Sequence, residues 1–132
     1  MIDPPDDIAL EAHRWRFAVR ERAETWHARA FFSPDAHHLV AAFDAAAEIL
    51  ARPFDPPGWL PPVGNDLAEP AACEEARRFA HALQTAADRL RAEPLPAIRR
   101  AHAMRLADTL DDCAGLFRVR PAAGIASGPF AR

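Results

Sequence analysis

Prolines divide this chain into four segments, and each segment carries apolar residues at helical spacing. The divisions lie at Pro4-Pro5, Ser33-Pro34, Glu69-Pro70 and Pro94-Leu95-Pro96. Proline is tolerated in the first turn of a helix, where its missing N–H would have no partner, and it disrupts a helix anywhere deeper. Four such starts predict four helices. Strands are disfavoured, because the chain has no tyrosine and few β-branched residues.

The apolar periodicity predicts helices over about 5–30, 34–52, 70–92 and 96–117. Only a few residues separate the first two helices, so they are expected to lie antiparallel as a hairpin. We therefore predict an all-α fold, an antiparallel four-helix bundle. Residues 1–120 are expected to form a single domain, and residues 121–132 a flexible C-terminal tail.

A proline-rich loop at residues 52–66 connects the second and third predicted helices. It holds five prolines and two glycines, which exclude regular structure. Its apolar residues, among them Phe54 and Trp59, are too many for a free linker. We expect the loop to cover one end of the bundle with Trp59 as a plug. The alternative is an extended segment that docks onto a partner.

Composition narrows the functional classes. The net charge is −3, and all sixteen basic residues are arginines interleaved with acids, so no basic stripe points to nucleic acid. No segment is apolar for long enough to predict a membrane span, and the acidic N-terminus is unlike a signal peptide. Cys73 and Cys113 fall in helical segments, where buried reduced thiols are expected. The expected location is the cytoplasm.

Several large apolar residues fall outside the predicted core stripes. Leu10 and Phe17 lie seven residues apart on the charged side of helix one, Phe31 and Phe32 lie at the following turn, and Trp59 lies in the loop. Such groups favour burial against another surface. They predict a non-catalytic accessory, regulatory or adaptor protein that binds another protein or itself as a homodimer, with no cofactor.

Histidines provide an alternative from another class, a helical bundle that binds a transition-metal ion or another cofactor. Glu24 and His27 are spaced three apart, as ligands of di-metal bundles are. The candidate ligands are His27, His37, His38, His102 and Glu24, and they converge only if the helices run up-down-up-down. Since His102 falls on the apolar stripe of helix four beside Ile98, a core histidine bonded to a backbone carbonyl or hydroxyl is the competing interpretation.

The charged residues that flank the apolar stripes of helices one and two can also be interpreted as partners in ion pairs. Antiparallel packing is expected to set Arg20 near Asp44 and Arg16 near Glu48, with His27 approaching His37 at the turn. Exposed pairs of this kind contribute well under ~1 kcal/mol each. A seam of such pairs would fix the register of the hairpin.

The segment from Leu106 to Asp112 resembles the metal-binding helix of all-α nucleotide pyrophosphohydrolases. The resemblance implies Asp108 and Asp112 as acidic residues of a small enzyme, with Glu74-Glu75 as their companions on helix three. That family places a glutamate three residues before the aspartate, where this chain has Arg105. A cation at the position of a magnesium ligand opposes this interpretation.

Overall fold

Four helices form in the part of the chain that the computed structural model describes, residues 6–61 and 67–119. They are α1 (Asp6–His27), α2 (Pro34–Leu50), α3 (Pro70–Ala92) and α4 (Ala97–Leu116), and no strand occurs among these residues. The predicted all-α fold class is confirmed. The expected flexible tail at 121–132 lies outside the described residues. Within them, no helix is both long enough and apolar enough to cross a bilayer.

Two of the helix starts follow from the sequence signals at proline. Ser33 precedes α2 in an extended conformation, and its Oγ accepts a hydrogen bond from the N–H of Ala36 at 3.2 Å. Pro34 and Pro70 occupy the first positions of α2 and α3, where the missing N–H costs nothing. Helix α1 ends at His27, three residues before its predicted end, because the chain then turns through 28–32.

Helices α1 and α2 pack closely as one hairpin, and α3 and α4 as another. Alanines line much of the shared core and allow the helix backbones to approach closely. Three phenylalanines fill the centre: the ring of Phe43 lies 4.9 Å from that of Phe79 and 4.8 Å from that of Phe117. Such aromatic pairs contribute about 1 kcal/mol beyond the burial of their area.

One predicted core position on α4 is wrong. Ile98 was expected to face inward, and it is 54% exposed. It lies in the first turn of α4, and its carbonyl accepts a hydrogen bond from His102. On the outside of α3, Glu74 and Arg78 form an ion pair at 3.9 Å.

Helices α2 and α3 run parallel, because both begin at the same end of the bundle. The Ser33 hydroxyl donates to Glu69 Oε1 at 2.9 Å, and the Asp35 carboxylate accepts from the N–H of Ala68 at 2.7 Å. A late residue of α1, Arg22, reaches Glu75 near the start of α3. With antiparallel hairpins on either side, the order is up-down-down-up. A bundle of this order needs one long crossover.

The crossover runs from residue 51 to 69 and follows α4 for its first half. The Thr109 hydroxyl donates to the carbonyl of Pro53 at 2.7 Å, and Arg105 donates to that of Phe54 at 3.2 Å. Further on, the N–H of Gly58 donates to Asp112 Oδ2 at 3.0 Å. Helix α2 is about 25 Å long at 1.5 Å per residue. The crossover therefore has enough residues to span the length of α2 and to reach the end of the bundle at which α3 begins.

Asp35 holds the starts of α2 and α3 together, and it is 6% exposed. Its Oδ2 accepts hydrogen bonds from the N–H groups of both Ala68 and Glu69. These donors precede α3, which has no side-chain cap of its own. A buried carboxylate is tolerated only where donors of this kind replace its hydration.

Replacing Asp35 with alanine is expected to lower the free energy of unfolding by roughly 2 kcal/mol, because two backbone donors lose their acceptor. Urea denaturation followed by circular dichroism measures the loss. Asp44→Ala is the matched control, since Asp44 is an exposed aspartate on the same helix. Equal losses in the two variants would show that Asp35 does not join the helices.

Alkaline pH is expected to destabilise the fold through Cys113. Burial raises the pKa of its thiol to about 12, and the neighbouring Asp112 carboxylate adds to the shift. The unfolded thiol therefore ionises first, so its stabilising contribution is complete below about pH 9 and declines above it by up to ~1.4 kcal/mol per pH unit. The chain has no lysine or tyrosine to obscure this range. Urea denaturation from about pH 8 to 11 tests this prediction, and Cys113→Ala is expected to flatten the slope.

Candidate functional site

Five large apolar side chains that the sequence placed outside the core are exposed in the structure. The exposed fractions are 47% for Leu10, 66% for Phe17, 89% for Phe31, 83% for Phe32 and 83% for Trp59. They occupy three separate places: Leu10 and Phe17 lie on α1, Phe31 and Phe32 lie at the α1–α2 turn, and Trp59 lies on the crossover.

The outer face of α1 is the side that points away from the core. Ile8, Val19 and Trp26 are buried on the opposite side of the same helix. Phe17 lies at the centre of the outer face, and Leu10 lies two turns before it. Exposed polar and charged residues surround them on this face: His13, Arg14, Arg20, Glu21 and Glu24. A depression of about 350 Å³ runs beside Phe17 and is lined by several of these side chains.

The α1–α2 turn presents two neighbouring aromatic rings to solvent. Phe31 and Phe32 meet edge to face, with ring centroids 5.1 Å apart. Backbone hydrogen bonds hold the turn, including one from the N–H of Phe32 to the carbonyl of Arg29 at 3.0 Å. The Arg29 guanidinium also stacks on Trp26, 4.9 Å from its ring centroid. The two exposed rings are therefore carried by an ordered turn.

Trp59 does not act as the plug of the bundle, and that prediction is wrong. The covering residue is Phe54, which packs against the core and meets the His102 ring at 5.6 Å. Thr109 and Arg105 bind the carbonyls of Pro53 and Phe54 and so hold this part of the loop down. Beyond it, Gly58 adopts a positive φ of 95°. The next residue, Trp59, is left exposed at the surface beside α4.

The histidines of the metal alternative do not converge. His27, His37 and His38 lie at the end of the bundle where α2 begins. His102 lies at the opposite end, next to Phe54 of the crossover, because the bundle does not run up-down-up-down. Its Nδ1 donates to the carbonyl of Ile98 at 3.1 Å, since a carbonyl can only accept.

Glu24 lies on the outer face of α1 and is exposed. No group of three histidine, cysteine or carboxylate side chains within residues 6–61 and 67–119 is arranged to hold a metal ion.

The charged side chains of the expected seam between α1 and α2 lie near one another, but they do not pair within the described chain. Arg16, Arg20, Asp44 and Glu48 line a depression of about 280 Å³ between the two helices. No ion pair within 4.0 Å joins these residues in the described chain, and the Nε of Arg16 is buried there without an acceptor.

The ion pairs of α1 join it to the second hairpin. Arg22 binds Glu75 at 2.8 Å, Glu11 binds Arg89 at 2.5 Å and Asp7 binds Arg99. These partners are 53, 78 and 92 residues apart in the chain. No local sequence pattern predicts these pairs, because only the packing of the two hairpins brings the partners together.

The acids of the pyrophosphohydrolase resemblance are bound by groups of this chain. Arg91 lies between Asp108 at 2.8 Å and Asp111 at 2.5 Å. Its hydrogen bond to Asp108, supported by Asp111, raises the pKa of Arg91 although burial opposes the shift. Burial raises the pKa of Asp112, and the hydrogen bond from the N–H of Gly58 opposes this.

The companion acids are engaged elsewhere: Glu75 is buried against Arg22, and Glu74 pairs with Arg78. No three-acid group suited to a metal occurs among the described residues. Of the acids for which the resemblance implied a magnesium ion, Asp108, Glu74 and Glu75 are therefore paired with arginines, and Asp112 accepts a hydrogen bond from Gly58.

No protein-family model, curated protein or solved structure matches this chain. The role of the exposed apolar residues is therefore inferred from their geometry.

Alanine substitutions separate the two aromatic residues of the crossover. Phe54→Ala is expected to lower the free energy of unfolding by roughly 2 kcal/mol, less than for a fully buried ring because Phe54 is half-buried. Trp59→Ala is expected to change it by under ~0.5 kcal/mol, since exposed positions contribute little. Thermal and urea denaturation measure both. The reverse order would restore Trp59 as the covering residue.

Proposed function

We propose that this chain is a non-catalytic protein of accessory, regulatory or adaptor type, which binds another protein or a second copy of itself through the outer face of α1 and the α1–α2 turn. The observation that carries the proposal is the exposure of Phe17, at 66%, on the side of α1 opposite the core. Covering this ring with a partner surface removes its apolar area from water, which is favourable in proportion to the area buried.

The surroundings of Phe17 favour protein recognition. Binding sites on proteins commonly place an aromatic residue inside a rim of polar groups, which exclude water from the contact. Here Arg20, Glu21 and Glu24 stand around the ring, together with His13. The rim contains both signs of charge, so it suits a partner surface with its own polar groups.

The rigidity of α1 further supports a docking role. Trp26 anchors its last turn in the core, and ion pairs to Arg89 and Glu75 tie the helix to α3 at both ends. A face held in this way loses little conformational entropy when it binds. Phe31 and Phe32 extend the contact beyond the end of the helix, and Trp59 provides a second contact beside α4.

A binding role also fits the contacts of the reactive side chains, several of which are bonded within the chain or buried. The carboxylates of α4 are engaged by Arg91 and Gly58, and His102 is bonded to a backbone carbonyl. Cys73 and Cys113 are free and buried. Free thiols are typical of reducing compartments, so we place the protein in the cytoplasm.

Site-specific photocrosslinking tests this proposal in the cells that make the protein. A benzoylphenylalanine in place of Phe17 is expected to capture one defined protein, because the ring lies inside the contact. The same group in place of Met104, an exposed residue on α4, is the matched control and is expected to capture none.

With the captured protein in purified form, Phe17→Glu is expected to weaken binding at least about tenfold, while Met104→Glu leaves it unchanged. Circular dichroism checks that both variants keep their helices. Equal capture at the two positions, or none at position 17, would contradict the proposed function.

A further inference from the structure

We propose that the partner of the outer face of α1 is a second copy of this chain. The two copies dock with their α1 helices antiparallel, about a two-fold axis that passes between Phe17 and Ala18. This inference rests on the proposed function and deepens it, since it names the partner and the register. It is carried by the placement of two exposed charges beside Phe17.

Arg14 comes two turns before Glu21 in α1, with Phe17 between them along the helix axis. Both lie on the same flank of the outer face. At about 100° per residue, Arg14 is about 60° and Glu21 about 40° round from Phe17 in the same direction. Both are exposed. Among residues 6–61 and 67–119 neither forms an ion pair within 4.0 Å, whereas Glu11 and Arg22 of the same helix do.

A two-fold axis across the helix brings these two charges together. The axis reverses the helix direction and keeps each flank on its own side, so position 14 of one copy lies level with position 21 of the other. Arg14 then meets Glu21 twice, once in each direction, while the two Phe17 rings pack against each other at the axis. One patch that complements itself is the requirement for a two-fold interface.

The remaining positions of the outer face are compatible with this register. Leu10 falls opposite Thr25 and Ala28 of the second copy, which are exposed and small enough to leave room for it. On the other flank, His13 falls between Arg20 and Glu24 of the second copy. No position of the face sets two like charges directly level with each other.

The contact is small, which determines how the dimer behaves. Helix α1 is about 33 Å long, and one helix face buries less than the roughly 800 Å² per partner that stable interfaces bury. We therefore expect reversible self-association. In sedimentation equilibrium, the mean mass should rise with concentration from 14.5 kDa toward twice that value.

Charge reversal tests the pairing. Arg14→Glu alone and Glu21→Arg alone are each expected to weaken dimerisation about tenfold, because two symmetry-related attractions become repulsions. The double variant Arg14→Glu with Glu21→Arg is expected to recover the affinity of the natural chain, since each pair is restored with its signs exchanged. Met104→Glu is the control that leaves dimerisation unchanged.

Cysteine crosslinking tests the register independently. A mixture of the Arg14→Cys and Glu21→Cys proteins is expected to form disulfide-linked dimers, in which the second Arg14–Glu21 pair is still intact. Either protein alone should crosslink little, because its new thiols would be about 10 Å apart along the helix axis. Efficient crosslinking of Arg14→Cys with itself would indicate parallel helices and overturn the proposal.

These outcomes separate this inference from the proposed function. If the natural chain stays at 14.5 kDa at every concentration, while position 17 captures a different protein, the second copy is wrong and protein binding stands. A dimer that survives Phe17→Glu, or that the double charge reversal does not restore, overturns the assigned interface. A monomer that captures nothing at position 17 overturns both.

Discussion

The carboxylate of Asp35 holds the architecture together at the point where the starts of α2 and α3 meet. It joins the beginning of α2 to the backbone that leads into α3, and the bond between Ser33 and Glu69 lies beside it. Because these contacts set the two helix starts side by side, α3 must run in the same direction as α2. The long crossover is the geometric result of that single junction.

The direction of α3 then determines where the other candidate groups fall. The crossover must pass along α4, where Thr109 and Arg105 hold its backbone and Phe54 covers the core. The same direction separates His102 from the histidines at the α1–α2 turn. The outer face of α1, with Phe17 at its centre, is not covered by the other described helices.

Local signals in the sequence account for the helices but not for their arrangement. Proline and the apolar period predicted α3 at its observed bounds, Pro70–Ala92, because both act within one helix. Asp35 could be recognised as an acid favourable to the α2 start, but its bonds to Ala68 and Glu69 depend on packing between distant segments. A period of 3.6 residues carries no information on whether α3 runs parallel or antiparallel to α2.

The candidate surface was predictable to a similar extent. The wheel of α1 separates Phe17 from the core stripe, and the structure leaves that ring exposed. The choice between Phe54 and Trp59 was not predictable, because both are aromatic residues in an irregular loop. It depends on the carbonyl bonds around Phe54 and on the positive φ of Gly58. Arg14 and Glu21 are visible in the sequence as opposite charges seven residues apart on one flank of Phe17.

The crossover has a consequence for how the chain folds. Each hairpin closes through neighbours in sequence, whereas the contacts between hairpins link residues as far apart as Asp7 and Arg99. The contacts therefore fall into two sets that are local in sequence, one within each hairpin, and one set between the hairpins that is distant in sequence. Closing the crossover costs little more conformational entropy than closing a loop half as long, since this cost grows only with the logarithm of the number of residues in the loop. We expect the hairpins to form early and to meet late, with the Asp35 junction completed in that final step.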